Sequence, residues 1–97
     1  MFAPAEYDSV QRDQILLVNV SGLLETKAVS PKDRAEVFYE LGIIYDRLGL
    51  EATARSMFMN SLAENRRFAA PYNFVGIYFA KDGRFQEARD AFDSSLE

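Results

Sequence analysis

The chain has 97 residues, of which 48% are hydrophobic and 27% are charged, and its formal net charge is −4. This length allows one small domain with a single core, and the composition is ordinary for a globular domain. An acidic chain without a basic stripe is a poor candidate for binding nucleic acid. Because the sequence has no His and no Cys, it excludes imidazole bases, thiolate nucleophiles, disulfides and the usual zinc sites. An enzyme would then need a buried carboxylate pair, and helical spacing places most Asp and Glu residues on solvated faces, so we expect that the protein is not an enzyme and uses no cofactor.

The N-terminal residues carry no recognisable targeting signal. Residues 1–6 have neither a basic region nor the apolar stretch of a signal peptide, and we predict a flexible tail over residues 1–9. No run of about 18 apolar residues is present, so the sequence predicts no membrane span. We therefore expect either a cytoplasmic protein or one whose targeting segment precedes Met1.

The first predicted element is a helix over residues 10–27, within a segment that we extend to residue 29. It is apolar around more than half of its girth, which is typical of a helix buried on two sides. It is either a capping helix packed on the helices that follow or a helix whose outer side docks on a second chain, and residues 15–20 alone would also suit a strand. The candidate dimer residues form one stripe at helical spacing: Leu16, Val20, Leu23 and Leu24.

Four further helices are predicted over residues 31–48, 51–64, 70–82 and 85–96. Ser30 is a suitable N-cap for the first of them, and Pro31 suits the first helical position. Pro71 likewise falls in a first turn, where its missing N–H is harmless. Residues 65–68 and 81–84 are predicted to be a loop and a tight turn.

The four helices form two similar pairs. When the chain is compared with itself at an offset of 34 residues, nine of the 29 pairs from 35/69 to 63/97 are identical without a gap. The identical pairs are 35/69, 42/76, 43/77, 49/83, 54/88, 55/89, 58/92, 61/95 and 62/96. A fixed period of this length is the mark of a stacked helical repeat.

The residues at these positions resemble the tetratricopeptide repeat (TPR). The first unit has Leu41-Gly42, Gly49 and Phe58 at the family positions, and the second unit has their counterparts 34 residues later. Arg66 stands where many units have a closing proline. The resemblance implies an all-α fold, a right-handed α-α superhelix of two TPR helix pairs, here preceded by the extra N-terminal helix. We place the first unit at residues 30–68 and the second at 69–97.

Each recurring residue has a packing role in this interpretation. Gly42 and Gly76 lie inside helices, where glycine costs roughly 1 kcal/mol relative to alanine, so we expect another helix backbone to approach closely there. Gly49 and Gly83 end the first helix of each pair and should have positive φ. Phe58 and Phe92 should fill the gap between the paired helices.

The end of the second unit is predicted to expose apolar surface. Repeat units cannot bury their apolar faces alone, and a polar cap usually closes an array. The last predicted helix, which contains Phe85, Ala88, Ala91, Phe92 and Leu96, should therefore show apolar surface to water. We expect further repeats to follow in a longer protein, or self-association through this end.

Three stretches go beyond a general TPR pattern: residues 35–50, 72–78 and 91–97. Together they resemble the N-terminal half of the NlpI family of bacterial outer-membrane TPR lipoproteins. This resemblance implies a periplasmic, lipid-anchored homodimer that acts as an adaptor for peptidoglycan hydrolases and presents them to a periplasmic protease. The lipidated Cys and the later repeats of that family are absent from this chain.

TPR proteins bind peptides with the first helices of their units, and the resemblance carries this role to named positions. The peptide-binding candidates are Glu36, Tyr39, Ile43, Asp46, Arg47, Asn73, Ile77 and Lys81. Tyr39 and Ile43 replace two residues of the carboxylate clamp of chaperone-binding TPRs, so that clamp is not expected. A pilotin-like pilus assembly factor and a cytoplasmic TPR co-chaperone remain the alternatives to the periplasmic adaptor.

Overall fold

The computed structural model describes residues 30–96, which form an all-α structure without strands. Two helix pairs follow each other along the chain, as the repeat predicts. The predicted tail and first helix, with the dimer candidates Leu16, Val20, Leu23 and Leu24, lie outside the described residues. The four described helices are α1 (Pro31–Arg47), α2 (Glu51–Glu64), α3 (Ala70–Lys81) and α4 (Phe85–Ser95).

The start of α1, and the ends of α1 and α3, follow the predicted capping residues. The hydroxyl of Ser30 accepts a hydrogen bond of 3.2 Å from the backbone N–H of Asp33, and Pro31 opens α1. Helices α1, α3 and α4 each end one residue earlier than predicted, because the last predicted residue is a cap. Gly49 and Gly83 have φ values of 81° and 77°, which confirms their predicted left-handed conformation after α1 and α3.

The glycine inside each first helix faces an aromatic ring. A Cβ atom added at Gly42 would lie 2.5 Å from the ring of Phe58, and one added at Gly76 would lie 2.6 Å from the ring of Phe92. The expectation that a helix backbone approaches these glycines was therefore wrong. The paired helix instead inserts a phenylalanine side chain, and glycine provides the space for it.

Phe58 also joins the two helix pairs. Its side chain is fully buried, and its ring stacks on that of Phe74 in α3 with centroids 4.4 Å apart and planes 11° apart. The ring of Tyr39 in α1 packs on both, at centroid distances of 5.9 Å and 6.1 Å. One aromatic cluster thus connects α1, α2 and α3, and its buried area supplies much of the contact between the units.

A buried hydrogen bond fixes α2 against α1. Ser61 is fully buried, and its hydroxyl donates a hydrogen bond of 2.6 Å to the carbonyl oxygen of Ala35. Ser95, the repeat counterpart of Ser61, donates instead to the carbonyl oxygen of Phe92 in its own helix. The two units therefore share the small residue at this position and use it differently.

Only part of α4 exposes its apolar side chains. Phe85 and Leu96 are 71% and 85% exposed, as predicted. Ala88 and Ala91 are buried and Phe92 is half-buried, so the helix exposes less apolar surface than predicted. They are covered because this side of α4 packs on α3. Within residues 30–96, no helix is long and apolar enough to span a bilayer.

Gly42→Ala should destabilise the protein. The added methyl meets the ring of Phe58, which cannot move because it is fully buried and stacked on Phe74. Overpacking should outweigh the helix propensity gained, for a net loss of about 1–2 kcal/mol in the free energy of unfolding measured with urea. Gly76→Ala is the matched control, since half-buried Phe92 has room to shift and the loss should be smaller. Equal stability of Gly42→Ala and the parent protein would contradict this packing.

Candidate protein-binding surface

The peptide-binding candidates lie on the first helices of the two pairs. We call the surface that they form the α1–α3 surface. It consists of Glu36, Tyr39, Ile43, Asp46 and Arg47 on α1 and Asn73, Ile77 and Lys81 on α3. Six of these residues are exposed, while Tyr39 and Ile43 are half-buried.

The two half-buried candidates contribute to packing as well as to the surface. The ring of Tyr39 lies edge-on to that of Phe68, with centroids 5.3 Å apart, in addition to its contacts with Phe58 and Phe74. Burial, with a smaller effect of the neighbouring Glu40 carboxylate, raises the pKa of the Tyr39 hydroxyl. Ile43 packs against the core. A partner could contact only the outer edges of these two side chains.

Asp46 links the two units. Its carboxylate accepts a hydrogen bond of 2.9 Å from the hydroxyl of Tyr78, a buried residue of α3. Burial, followed by this hydrogen bond to a carboxylate, raises the pKa of Tyr78 well above its ordinary value. Asp46 therefore helps to set the position of α3 relative to α1, and only its remaining acceptor sites are available to a partner.

Lys81 belongs to an ionic cluster that connects α2 with the end of α3. We call it the inter-unit ionic cluster, and it consists of Glu51, Arg55, Lys81 and Asp82. The Lys81 ammonium lies 2.5 Å from the Glu51 carboxylate. The Arg55 guanidinium donates to both oxygens of Asp82, at 2.6 Å and 3.2 Å, and to Glu51 at 3.2 Å. The Arg55 guanidinium carbon also lies 4.8 Å from the centre of the Tyr78 ring.

Pairing in this cluster shifts the pKa values of its acidic and basic groups in opposite directions. The hydrogen bond from Lys81 lowers the pKa of Glu51, and the hydrogen bonds from Arg55 lower that of Asp82. The hydrogen bonds to Asp82 raise the pKa of Arg55. All of these groups are accessible to water, so solvent screens each pair and the cluster acts mainly by orienting the units.

Glu36, Asn73 and Ile77 are the candidates most available to a partner. All three are exposed, Ile77 by 42% of its surface, and none has a side-chain hydrogen bond or ion pair within residues 30–96. Exposed apolar and amide groups on rigid helices suit an extended or helical peptide, which they hold by apolar contact and amide hydrogen bonds.

The sequence did not single out Arg55, Tyr78 and Phe74, although each of them contacts the other unit. Arg55 does recur as Arg89 in the repeat, and that identity was a signal. Tyr78 and Phe74 have the unrelated counterparts Ile44 and Glu40, so self-comparison gives no hint of their role. Among residues 30–96, no three acidic side chains come together in a way that could hold a metal ion.

Comparison with known proteins supports the fold. No family model matches the chain. The crystal structure of MamA, a TPR-type protein, superposes with a TM-score of 0.72 at 20% sequence identity. The match covers 91% of this chain and 49% of the MamA chain, so the chain spans about half the length of that relative. The structure is therefore TPR-like.

Tyr78→Phe should lower the free energy of unfolding at neutral pH. It should also reduce the loss of stability that the parent protein shows at alkaline pH. Loss of the bond to Asp46 should cost about 1 kcal/mol in the free energy of unfolding at pH 7. The pKa of Tyr78 is higher in the folded chain than the value of about 10 expected after unfolding. The unfolded chain therefore loses this proton first as pH rises, and this contribution to stability is lost above about pH 10.

The measurement for Tyr78→Phe is urea unfolding at a series of pH values. Tyr39, whose pKa is also raised, remains in both proteins, so only the difference between the two curves reports on Tyr78. Parallel alkaline declines of the parent protein and the variant would contradict the assignment.

Proposed function

We propose that this protein is a protein–protein interaction scaffold that binds a peptide segment of its partner on the α1–α3 surface. The observation that carries the proposal is the exposed set of Glu36, Asn73 and Ile77 on two helices held in fixed relation by buried Phe58. Rigid placement favours binding because the partner then does not have to order the surface. The TPR-like fold supports this general class of function.

More specifically, we propose a periplasmic adaptor, attached to the outer membrane through a lipid anchor outside this chain. Its partners would be peptidoglycan hydrolases and the protease that degrades them. The support is the resemblance of residues 35–50, 72–78 and 91–97 to the NlpI family.

Ile77→Glu should reduce the capture of peptidoglycan hydrolases from a periplasmic extract. The immobilised parent protein should retain these enzymes, which are detected as murein-degrading bands. In Ile77→Glu the new carboxylate would be buried in the interface, so retention should be about tenfold weaker. Asn60→Glu is the matched control, because Asn60 is also exposed but lies on α2, outside the α1–α3 surface. Recovery of pilus components without hydrolases would overturn the adaptor proposal in favour of an assembly factor.

We also propose that the protein is a homodimer through Leu16, Val20, Leu23 and Leu24. The support is the excess of apolar residues in this segment, which exceeds what one buried helix face requires. At micromolar concentration the parent protein should sediment as a dimer, and Leu16→Asp combined with Leu23→Asp should give a monomer. A parent protein that sediments as a monomer would refute this proposal and leave the scaffold function intact.

A further inference from the structure

A second concave surface lies on the other side of α3, between α2 and α4. Two adjoining cavities of about 290 Å³ and 330 Å³ share Met59, Val75 and Phe79 in their walls. The first cavity extends to Leu62 on α2 and Ala91 on α4. Together these five residues define one channel, the α2–α4 groove, with α3 as its floor.

The α2–α4 groove is apolar along its middle. Val75 on the floor, and Leu62 and Ala91 beside it, expose only 6–8% of their surfaces, while Phe79 is half-buried. Met59 is 52% exposed at the junction of the two cavities. An unbranched, polarisable side chain at the centre of a groove can adjust to the shape of an apolar ligand.

The two ends of the groove differ in charge. At one end, the pairs Arg55–Asp82 and Arg84–Glu87 largely satisfy the charges of the second cavity. At the other end a third cavity, of about 300 Å³, shares Tyr72 and Ser94 with the first. The charged groups that line this third cavity have no ion-pair partner in the described part of the chain.

Arg66 and Arg67 supply the charge at that end. Both line the third cavity, both are exposed, and neither side chain has an ion-pair partner among residues 30–96. The loop that carries them is fixed locally, since Asn65 accepts a hydrogen bond of 3.1 Å from the N–H of Arg67, and the carbonyl oxygen of Arg66 accepts one of 2.8 Å from the Tyr72 hydroxyl. Two arginine residues therefore lie at one end of the apolar groove.

We propose that the α2–α4 groove binds an apolar segment of a partner protein whose acidic side chains, at one end of that segment, meet Arg66 and Arg67. Apolar side chains of the segment cover Met59, Phe79 and the groove floor, which supplies the binding free energy. The carboxylates fix the direction of the segment, because arginine binds carboxylates in a defined geometry. Glu87 and Asp90 on the α4 side disfavour acidic residues in the middle of the segment.

This site is independent of the α1–α3 surface. Val75 and Phe79 line the groove, and Ile77 lies about half a turn away from each around α3. The two surfaces therefore use different sides of the same helix. A scaffold with both could hold two polypeptides at once, one on each side of α3.

The test uses two synthetic fluorescent peptides of about 14 residues, or four helical turns, with leucines at helical spacing. One peptide ends in two aspartates, and the other ends in two lysines at the same positions. The aspartate peptide should bind the full chain more tightly, by at least about tenfold in fluorescence anisotropy. Arg66→Glu combined with Arg67→Glu should reverse the preference, while Arg89→Glu, an exposed arginine outside the groove, should leave it unchanged.

Met59→Glu tests the apolar part of the groove. It should weaken binding of both peptides by at least about tenfold, and Asn60→Glu, the neighbouring exposed position outside the groove, should not. Circular dichroism verifies that every variant is folded. Failure of both peptides to bind the parent protein overturns the proposal. So does an unchanged preference in the double arginine variant, or an unchanged affinity in Met59→Glu. A shift from dimer to monomer on Met59→Glu also overturns it, since the occupant would then be a second copy.

None of these outcomes depends on the α1–α3 surface. Ile77→Glu should leave the affinity for both peptides unchanged, even where it abolishes capture of periplasmic enzymes. The groove proposal and the proposed adaptor function can therefore fail separately.

Discussion

The position of the Phe58 ring is the constraint on which the arrangement of these helices depends. Gly42 leaves space in α1 for the ring, and the ring also stacks on Phe74 of the next unit. A single side chain thus sets the distance within one helix pair and the distance to the next. Because a fully buried ring has no alternative position, the helices that surround it are held as a rigid body. The α1–α3 surface, and the α2 and α3 sides of the α2–α4 groove, depend on this contact.

Residues that recur between units revealed the packing within a unit. Gly49, Gly83 and the phenylalanines could be assigned because a backbone that needs positive φ, or a gap that needs a ring, selects the same residue each time. The nature of the contact at Gly42 was misjudged, since a missing Cβ shows that space is needed and does not identify which atoms occupy it. The boundaries of the four described helices were predicted to within one residue, since Ser30, Pro31 and Pro71 mark starts while Gly49 and Gly83 mark ends.

Contacts between units could not be found in this way. Phe74, Tyr78 and Asp82 do not recur at the matching positions of the first unit, so a comparison of the chain with itself does not detect them. Their partners are brought together only when the second pair stacks on the first. The same holds for the α2–α4 groove, whose walls come from three helices. The sequence predicted which residues form the α1–α3 surface. The structure adds that two of them, Asp46 and Lys81, also connect the two units.

The charged groups between the units determine how the inter-unit contacts respond to pH. Pairing lowers the pKa values of Glu51 and Asp82 and raises that of Arg55, so each moves away from neutrality. With no histidine anywhere in the chain, mild acidification or alkalinisation therefore leaves these inter-unit contacts in the same charge state. The angle between the helix pairs should accordingly stay constant when the pH of the surrounding solution changes by one or two units around neutrality.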